Sequence, residues 1–226
     1  MRPKALIAWS SGKDSAWALH ETRRRGAFEI VGALTTVTET FGRVSMHGVR
    51  EELLAAQLDA AGLMPLRVPI PYPCPNEIYE ARMRDAVASA VTDGFTHVSF
   101  GDLYLEDIRR YREERLAGSG LQPLFSLWHV PTRELAGRML SAGLRARLAC
   151  VDTRILDTSF VGREFDAALL AALPPGVDPC GENGEFHTCV YAGPMFSAPL
   201  HLERGETVTR DPFSWAELTM AAGALA

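Results

Sequence analysis

Short apolar runs alternate with longer stretches of helical spacing through the first half of the chain. Residues 4–9 form an apolar run that stops at Ser10-Ser11-Gly12, the pattern of a buried strand entering a tight turn. Residues 16–25 have helical composition, 28–37 are strand-like, and 49–61 set Leu53, Leu54 and Leu58 on one helical stripe. Residues 66–70 read as a strand stopped by Pro71, Pro73 and Pro75, then 77–92 as a helix and 97–100 as a strand ending in Gly101-Asp102. Strands alternating with helices of this length predict right-handed crossovers and an open parallel sheet covered on both faces. Ligands of such a sheet bind at the carboxyl ends of its strands.

The second half keeps part of this alternation, with helices expected at 108–117, 133–142 and 160–173 and a strand at 146–151. After Pro174-Pro175-Gly176 the pattern changes to short strands at 185–191, 200–204 and 207–210, the last two reading as a hairpin about Gly205. Gly118-Ser119-Gly120 marks the expected boundary between an α/β domain, residues 1–118, and a smaller α+β lobe, residues 119–226.

Composition narrows the class. Over 226 residues, 47 % apolar and 23 % charged positions with 19 Gly and 14 Pro exclude disorder, collagen and coiled coil. No apolar run reaches the roughly 20 residues of a membrane span, so a soluble, cytoplasmic protein is expected with no membrane partner. A net charge of −5 argues against general nucleic-acid binding, which needs surplus cations. The four cysteines lack metal-ligand spacing and read as reduced thiols. Of the basic side chains only Lys4 and Lys13 are lysines, which singles out Lys13 in the first loop.

That loop, Ser10-Ser11-Gly12-Lys13-Asp14-Ser15, lies between the first strand and the first helix, where peptide N–H groups and the helix dipole favour an anion. Gly12 permits close approach, Lys13 adds a point charge, and the hydroxyls of Ser10, Ser11 and Ser15 add donors, so the loop suits a phosphate or pyrophosphate. Ile7 and Asp14 stand where a Walker A loop needs Gly and Ser or Thr, and no dinucleotide-binding Gly-x-Gly-x-x-Gly is present.

The loop resembles that of the PP-loop ATP pyrophosphatases, Ser-Gly-Gly-x-Asp-Ser, with Ser11 in place of the first glycine. The resemblance implies an open parallel sheet of the adenine nucleotide α-hydrolase (HUP) type. It also implies ATP as substrate, adenylation of a substrate oxygen and retention of pyrophosphate in the loop. Lys13 is then expected to stand exposed for the β- and γ-phosphates. Asp14 is the expected Mg²⁺ ligand, with helix capping as its alternative role.

Three further stretches resemble the diphthine–ammonia ligase family within the PP-loop proteins: Gly101-Asp102-Leu103, Pro123 through Trp128, and Cys180-Gly181-Glu182-Asn183-Gly184-Glu185-Phe186-His187-Thr188. The likeness extends over residues 5–196. Archaeal and eukaryotic members amidate the carboxylate of diphthine on elongation factor 2 with ATP and ammonium. Carried onto this chain, Gly101 and Asp102 meet the nucleotide or the ammonium ion, with a helix cap as the alternative for Asp102. Glu182 and Glu185 grip a cation or take the amine's proton, with a solvated acidic loop as their alternative, and His187 shares a strand face with Glu185. Where the family has Ser-x-Tyr-Gln-Arg, this chain has Leu105, Glu106, Asp107, Ile108 and Arg109, and His187 falls where many members carry Glu. Arginine in place of lysine and Ala-rich helices suggest a bacterial-type member. Ser45-Met46-His47-Gly48 is a further loop able to border the pocket.

The expected function is therefore an ATP-dependent ligase. It joins an unidentified carboxylate, on a small molecule or a protein, to ammonia or an amine, with a homodimer left open. Alternatives are a PP-loop tRNA-modifying enzyme and an ATP/AMP-binding sensor without turnover.

Overall fold

The computed structural model describes residues 2–210 and 212–221. Its first sheet is built from β1 (Lys4–Ala8), β2 (Glu29–Thr38), β3 (Arg43–Val44), β4 (Met64–Ile70), β5 (Phe95–Phe100) and β6 (Gln122–Phe125). β1 is central, parallel to β2 on one side and β5 on the other; β4 and β6 extend the parallel sheet, and β3 adds an antiparallel pair to the end of β2. β1 is buried on both faces, with Ala5 and Ile7 in one core and Leu6 in the other, which is why it reads as a continuous apolar run.

Helices α1 (Lys13–Arg25) and α2 (Glu51–Ala61) contribute to one core; α3 (Asn76–Thr92) and α4 (Glu106–Leu116) contribute to the other. A second sheet is antiparallel, in the order β8 (Phe186–Ala192), β7 (Arg145–Asp152), β10 (Phe213–Met220), β9 (Leu202–Arg210). Its inner residues Leu148, Val151, Phe186 and Val190 join the core that holds Ala16, Leu19, Leu53 and Leu54, together with Leu135 and Met139 of α5 (Thr132–Ser141). The two halves therefore share one core, and α1 and α2 pack between the sheets. The expected class, an open parallel α/β sheet with a smaller C-terminal lobe, is the one found, with antiparallel β3 as an addition to it.

Four local expectations are corrected. β6 lies beyond residue 118 yet pairs with β5 from His97–Gln122 to Phe100–Phe125, so the first sheet continues past the Gly-Ser-Gly break. It escaped the pattern because it has four residues and a proline, which an edge strand tolerates. The helix expected over 160–173 shrinks to α6 (Ala167–Ala172), because Gly162 turns with φ +74° and Glu164 bridges to Arg147; Asp166 then caps α6 by accepting from the Leu169 N–H at 2.7 Å. No hairpin forms about Gly205: β9 runs through it, and its pairing partner is β10. β10 escaped notice because its inward residues, Ser214, Ala216 and Leu218, make a weak apolar period beside outward Phe213 and Trp215.

The cysteines are free thiols as expected, three of them buried. No described helix is long and apolar enough to cross a membrane.

Candidate active site

β1 ends with the Trp9 N–H on the Leu34 carbonyl at 2.8 Å, and the chain then turns sharply into α1. Ser11, which stands where the motif this loop resembles has its first glycine, takes a left-handed φ of +68°, a conformation that costs a side-chain-bearing residue about 1 kcal/mol. Gly12 is the N-cap residue, with no side-chain cap, so Lys13, Asp14 and Ser15 already belong to the first helical turn. The Ser15 hydroxyl donates to the Gly12 carbonyl at 2.9 Å and lies 3.2 Å from Ser10 Oγ, so these two serines brace the loop. Ser11 Oγ and Asp14 Oδ1 are different: both are buried without a hydrogen-bond partner.

Lys13 overturns the expectation of an exposed cation. Its side chain is 2 % exposed; Nζ donates to Asp14 Oδ2 at 2.8 Å and to the Cys180 carbonyl, and sits 5.4 Å from the ring centres of Phe165 and Phe186. Burial opposes its charge, yet the Asp14 carboxylate holds its pKa above the ordinary lysine value. The Lys13 ammonium thus fastens the Cys180 turn beneath the loop. Asp14 is not a cap either; it is the counter-ion of Lys13.

The second sheet closes on the loop directly. Thr188 Oγ1 accepts from the Lys13 N–H at 3.0 Å, and the Val190 N–H donates to the Ser11 carbonyl at 2.9 Å. Gln57, fully buried on α2, lies at the same junction. Gln57 was not singled out in the sequence, and Thr188 entered only as the last residue of a family-like stretch, with no role. The available signal for Gln57 is one polar residue on the buried stripe of Leu53, Leu54, Leu58 and Ala61.

β1 leaves the edge of β2 after Leu34, and β3 takes over that edge at Val37 and Thr38, which hangs residues 45–48 over the loop. His47 Nδ1 donates to the Thr188 carbonyl at 3.1 Å, its ring lies 4.6 Å from that of His187, and a Cβ on Gly12 would fall 2.7 Å from its Cε1. Of this loop, His47 is the residue that reaches Gly12 and Thr188. Burial, helped by the Lys13 charge, pushes His187 down to about 4, and burial beside His187 puts His47 well below its ordinary value.

At the end of β5, Gly101 abuts the loop so closely that a Cβ would lie 2.8 Å from both the Asp14 carbonyl carbon and the Ser15 nitrogen. Asp102 does not cap α4, whose N-cap is Leu105; it pairs with Arg112, whose Nε lies 3.0 Å from Oδ2. Glu182 Oε1 accepts from the Leu103 N–H at 2.7 Å, and among the described residues its Oε2 has no hydrogen bond. Burial first, and the charges of Asp14 and Asp102 next, push its carboxyl up to about 7, against the pull of the Leu103 and Tyr104 N–H groups. Glu185 differs: it folds into its own turn and accepts from the Asp178 and Asn183 N–H groups, both at 2.9 Å, and from Asn183 Nδ2 at 3.0 Å. Among the described residues no group of three or more His, Cys, Asp or Glu side chains is arranged to hold a metal ion.

The paired histidines make acid sensitivity a test of this geometry. A histidine depressed in the folded state contributes stability that is complete above about pH 6.5 and is lost as pH falls towards 4, because the unfolded chain takes the proton first. For His187 the loss between pH 7 and pH 5 is about 2 kcal/mol. His187→Asn should therefore show a drop in unfolding free energy over that interval smaller than wild type by about this amount. Glu182, whose raised pKa has the opposite effect, is common to both proteins and cancels. Identical pH slopes would place His187 in water.

Residues 132–217 match the family model described as "Diphthamide synthase C-terminal domain". Proteins named diphthine–ammonia ligase are similar to part of the chain. That of Danio rerio is 32 % identical over 126 residues, 53 % of this chain and 49 % of its own length. That of Bos taurus is 30 % identical over 118 residues, 50 % and 44 % respectively, and that of Homo sapiens is 28 % identical over the same number. The matched region spans about half the length of each of these relatives.

Proposed function

We propose that this chain, similar over about half of its length to proteins named diphthine–ammonia ligase, is an ATP-dependent ligase that activates a carboxylate as its adenylate and converts it to an amide. One observation carries the reading: Ser11 Oγ and Asp14 Oδ1 are buried without partners at the start of α1. An unmet buried polar atom costs about 1–3 kcal/mol, which a phosphate oxygen on the hydroxyl and a hard cation on the carboxylate would recover. Asp14 Oδ1 is thus the oxygen fit to hold Mg²⁺, which when bound would neutralise charge gathering on the phosphates.

A carboxylate oxygen attacks the α-phosphorus, and pyrophosphate departs into the loop formed by Ser10, Ser11, Gly12 and Ser15. The amine nitrogen then attacks the acyl carbon and AMP leaves. Ammonium must shed a proton before it attacks, and Glu182 is the group suited to take it. Its carboxyl titrates near 7 and offers a free oxygen, whereas Glu185 is consumed by three N–H donors. Lys13 and Glu185 act by holding the loop and the Gly-Glu-Asn-Gly-Glu turn in place. Asp102, held by Arg112, adds negative charge on the ammonium side. The relatives' name puts the carboxylate on diphthine. Leu105 through Ile108 depart from the family pattern where α4 begins, so the acid is assigned here as a class, with diphthine one candidate.

The test is ATP and Mg²⁺ with ammonium and a panel of carboxylic acids, including elongation factor carrying diphthine. Pyrophosphate release that requires an acid, with AMP and amide formed in equal amounts, is the expected result. Glu182→Gln should slow amide formation by about 100-fold while leaving adenylate formation largely intact. ATP binding without acid-dependent pyrophosphate release would turn the reading to a sensor, and release driven by tRNA to an RNA-modifying enzyme.

A further inference from the structure

We propose that Gln57 is a positioning residue for the phosphate loop, acting by holding Ser11 in its left-handed conformation; the inference rests on the loop being the ATP site. Gln57 is 0 % exposed and lies in α2, outside the loop. Its amide is oriented at both ends. Oε1 accepts from the Trp9 indole at 3.1 Å, and Nε2 donates to the Ser11 carbonyl at 3.2 Å and to the Val190 carbonyl at 2.6 Å. The indole N–H can only donate and the two carbonyls can only accept, so the amide has a single satisfying orientation.

The Ser11 carbonyl receives two donors, Gln57 Nε2 and the Val190 N–H, and both come from elements distant in sequence. Ser11 is also one of three non-glycine residues with positive φ among the described residues. A β-carbon resists this conformation, and strain of this kind persists only where the surroundings over-determine it. The two donors supply that determination, and the fixed carbonyl in turn fixes where the unpartnered Ser11 hydroxyl is held. A glycine at position 11 would adopt the same φ unaided.

That difference supplies the test, a double-mutant cycle between positions 57 and 11 with ATP affinity measured by titration. Gln57→Met keeps the length of the side chain and removes the amide's donation to the Ser11 and Val190 carbonyls. It should weaken ATP binding about tenfold in the Ser11 protein and less than about threefold in the Ser11→Gly protein. A residue that merely fills the core would lower unfolding midpoints in both backgrounds and weaken ATP equally in each. Trp9→Phe, which deletes the indole donor and leaves the amide free to rotate, should reproduce the pattern at smaller size, and it answers the question if Gln57→Met does not fold. Equal ratios in the two backgrounds overturn the proposal while wild-type binding leaves the ATP reading standing. Failure of wild type to bind ATP overturns both.

Discussion

Lys13→Ala is expected to destabilise the fold by several kcal/mol, not merely to weaken a phosphate contact. The substitution strands the Asp14 carboxylate and the Cys180 carbonyl and empties the space between the Phe165 and Phe186 rings. Removing one partner of a buried pair typically costs about 3–5 kcal/mol, against a total stability of about 5–15 kcal/mol. Asp14 retains 28 % exposure, which draws the expected value towards the lower end of that range. Lys13→Met with Asp14→Asn removes both charges at similar volume and should recover most of the loss. Denaturant midpoints measure all three proteins. A Lys13→Ala protein as stable as wild type, with weakened ATP binding, would show an ammonium free to meet the ligand.

Among the described glycines, Gly101→Ala should be the most damaging single methyl group for nucleotide binding. Its new Cβ meets the backbone of Asp14 and Ser15 at 2.8 Å, and backbone cannot swing aside. Either the loop or the end of β5 must move, at about 1–3 kcal/mol of overpacking and a loss of ATP affinity of about tenfold or more. Gly12→Ala meets His47 Cε1 at 2.7 Å, but an imidazole can rotate, so its stability cost should be smaller. Gly137, on α5 with nothing within 4 Å of a Cβ, is the control: alanine there should stabilise by up to about 1 kcal/mol. Paired titration and unfolding measurements on the three variants rank them. A Gly101→Ala protein with wild-type affinity would mean that the loop and β5 yield without cost.

The parallel half of the fold was legible because β1, β2 and β5 carry their own signals: apolar runs flanked by punctuation, joined by periodic helices. β3, with two residues, carries no periodicity, and β6 hides in a Pro-containing motif. β10 faces its core with a serine and an alanine, which no alternation count detects. At the site, residue types predicted where chemistry gathers but not how each charge is used. Lys13 and Glu185 look alike in the sequence to a free cation and a free base. Only tertiary contacts reveal that one is enclosed by aromatic rings and the other by its own turn. Serine in place of the motif's glycine pointed to a backbone that a β-carbon accepts, and the fold instead holds Ser11 at a φ of +68°. Gln57 was overlooked because an amide in a helix is common, and its meaning depends on a strand that arrives much later in the chain.

That late arrival sets an order of events during synthesis. The loop emerges from the ribosome early, but Thr188, which fastens its Lys13 N–H, lies 175 residues further on, and Val190 follows. Until β8 is made and docked, the segment from Ser10 to Ser15 lacks its brace. If that segment is the ATP site we propose, a nascent or truncated chain would turn over ATP poorly, without any separate inhibitor.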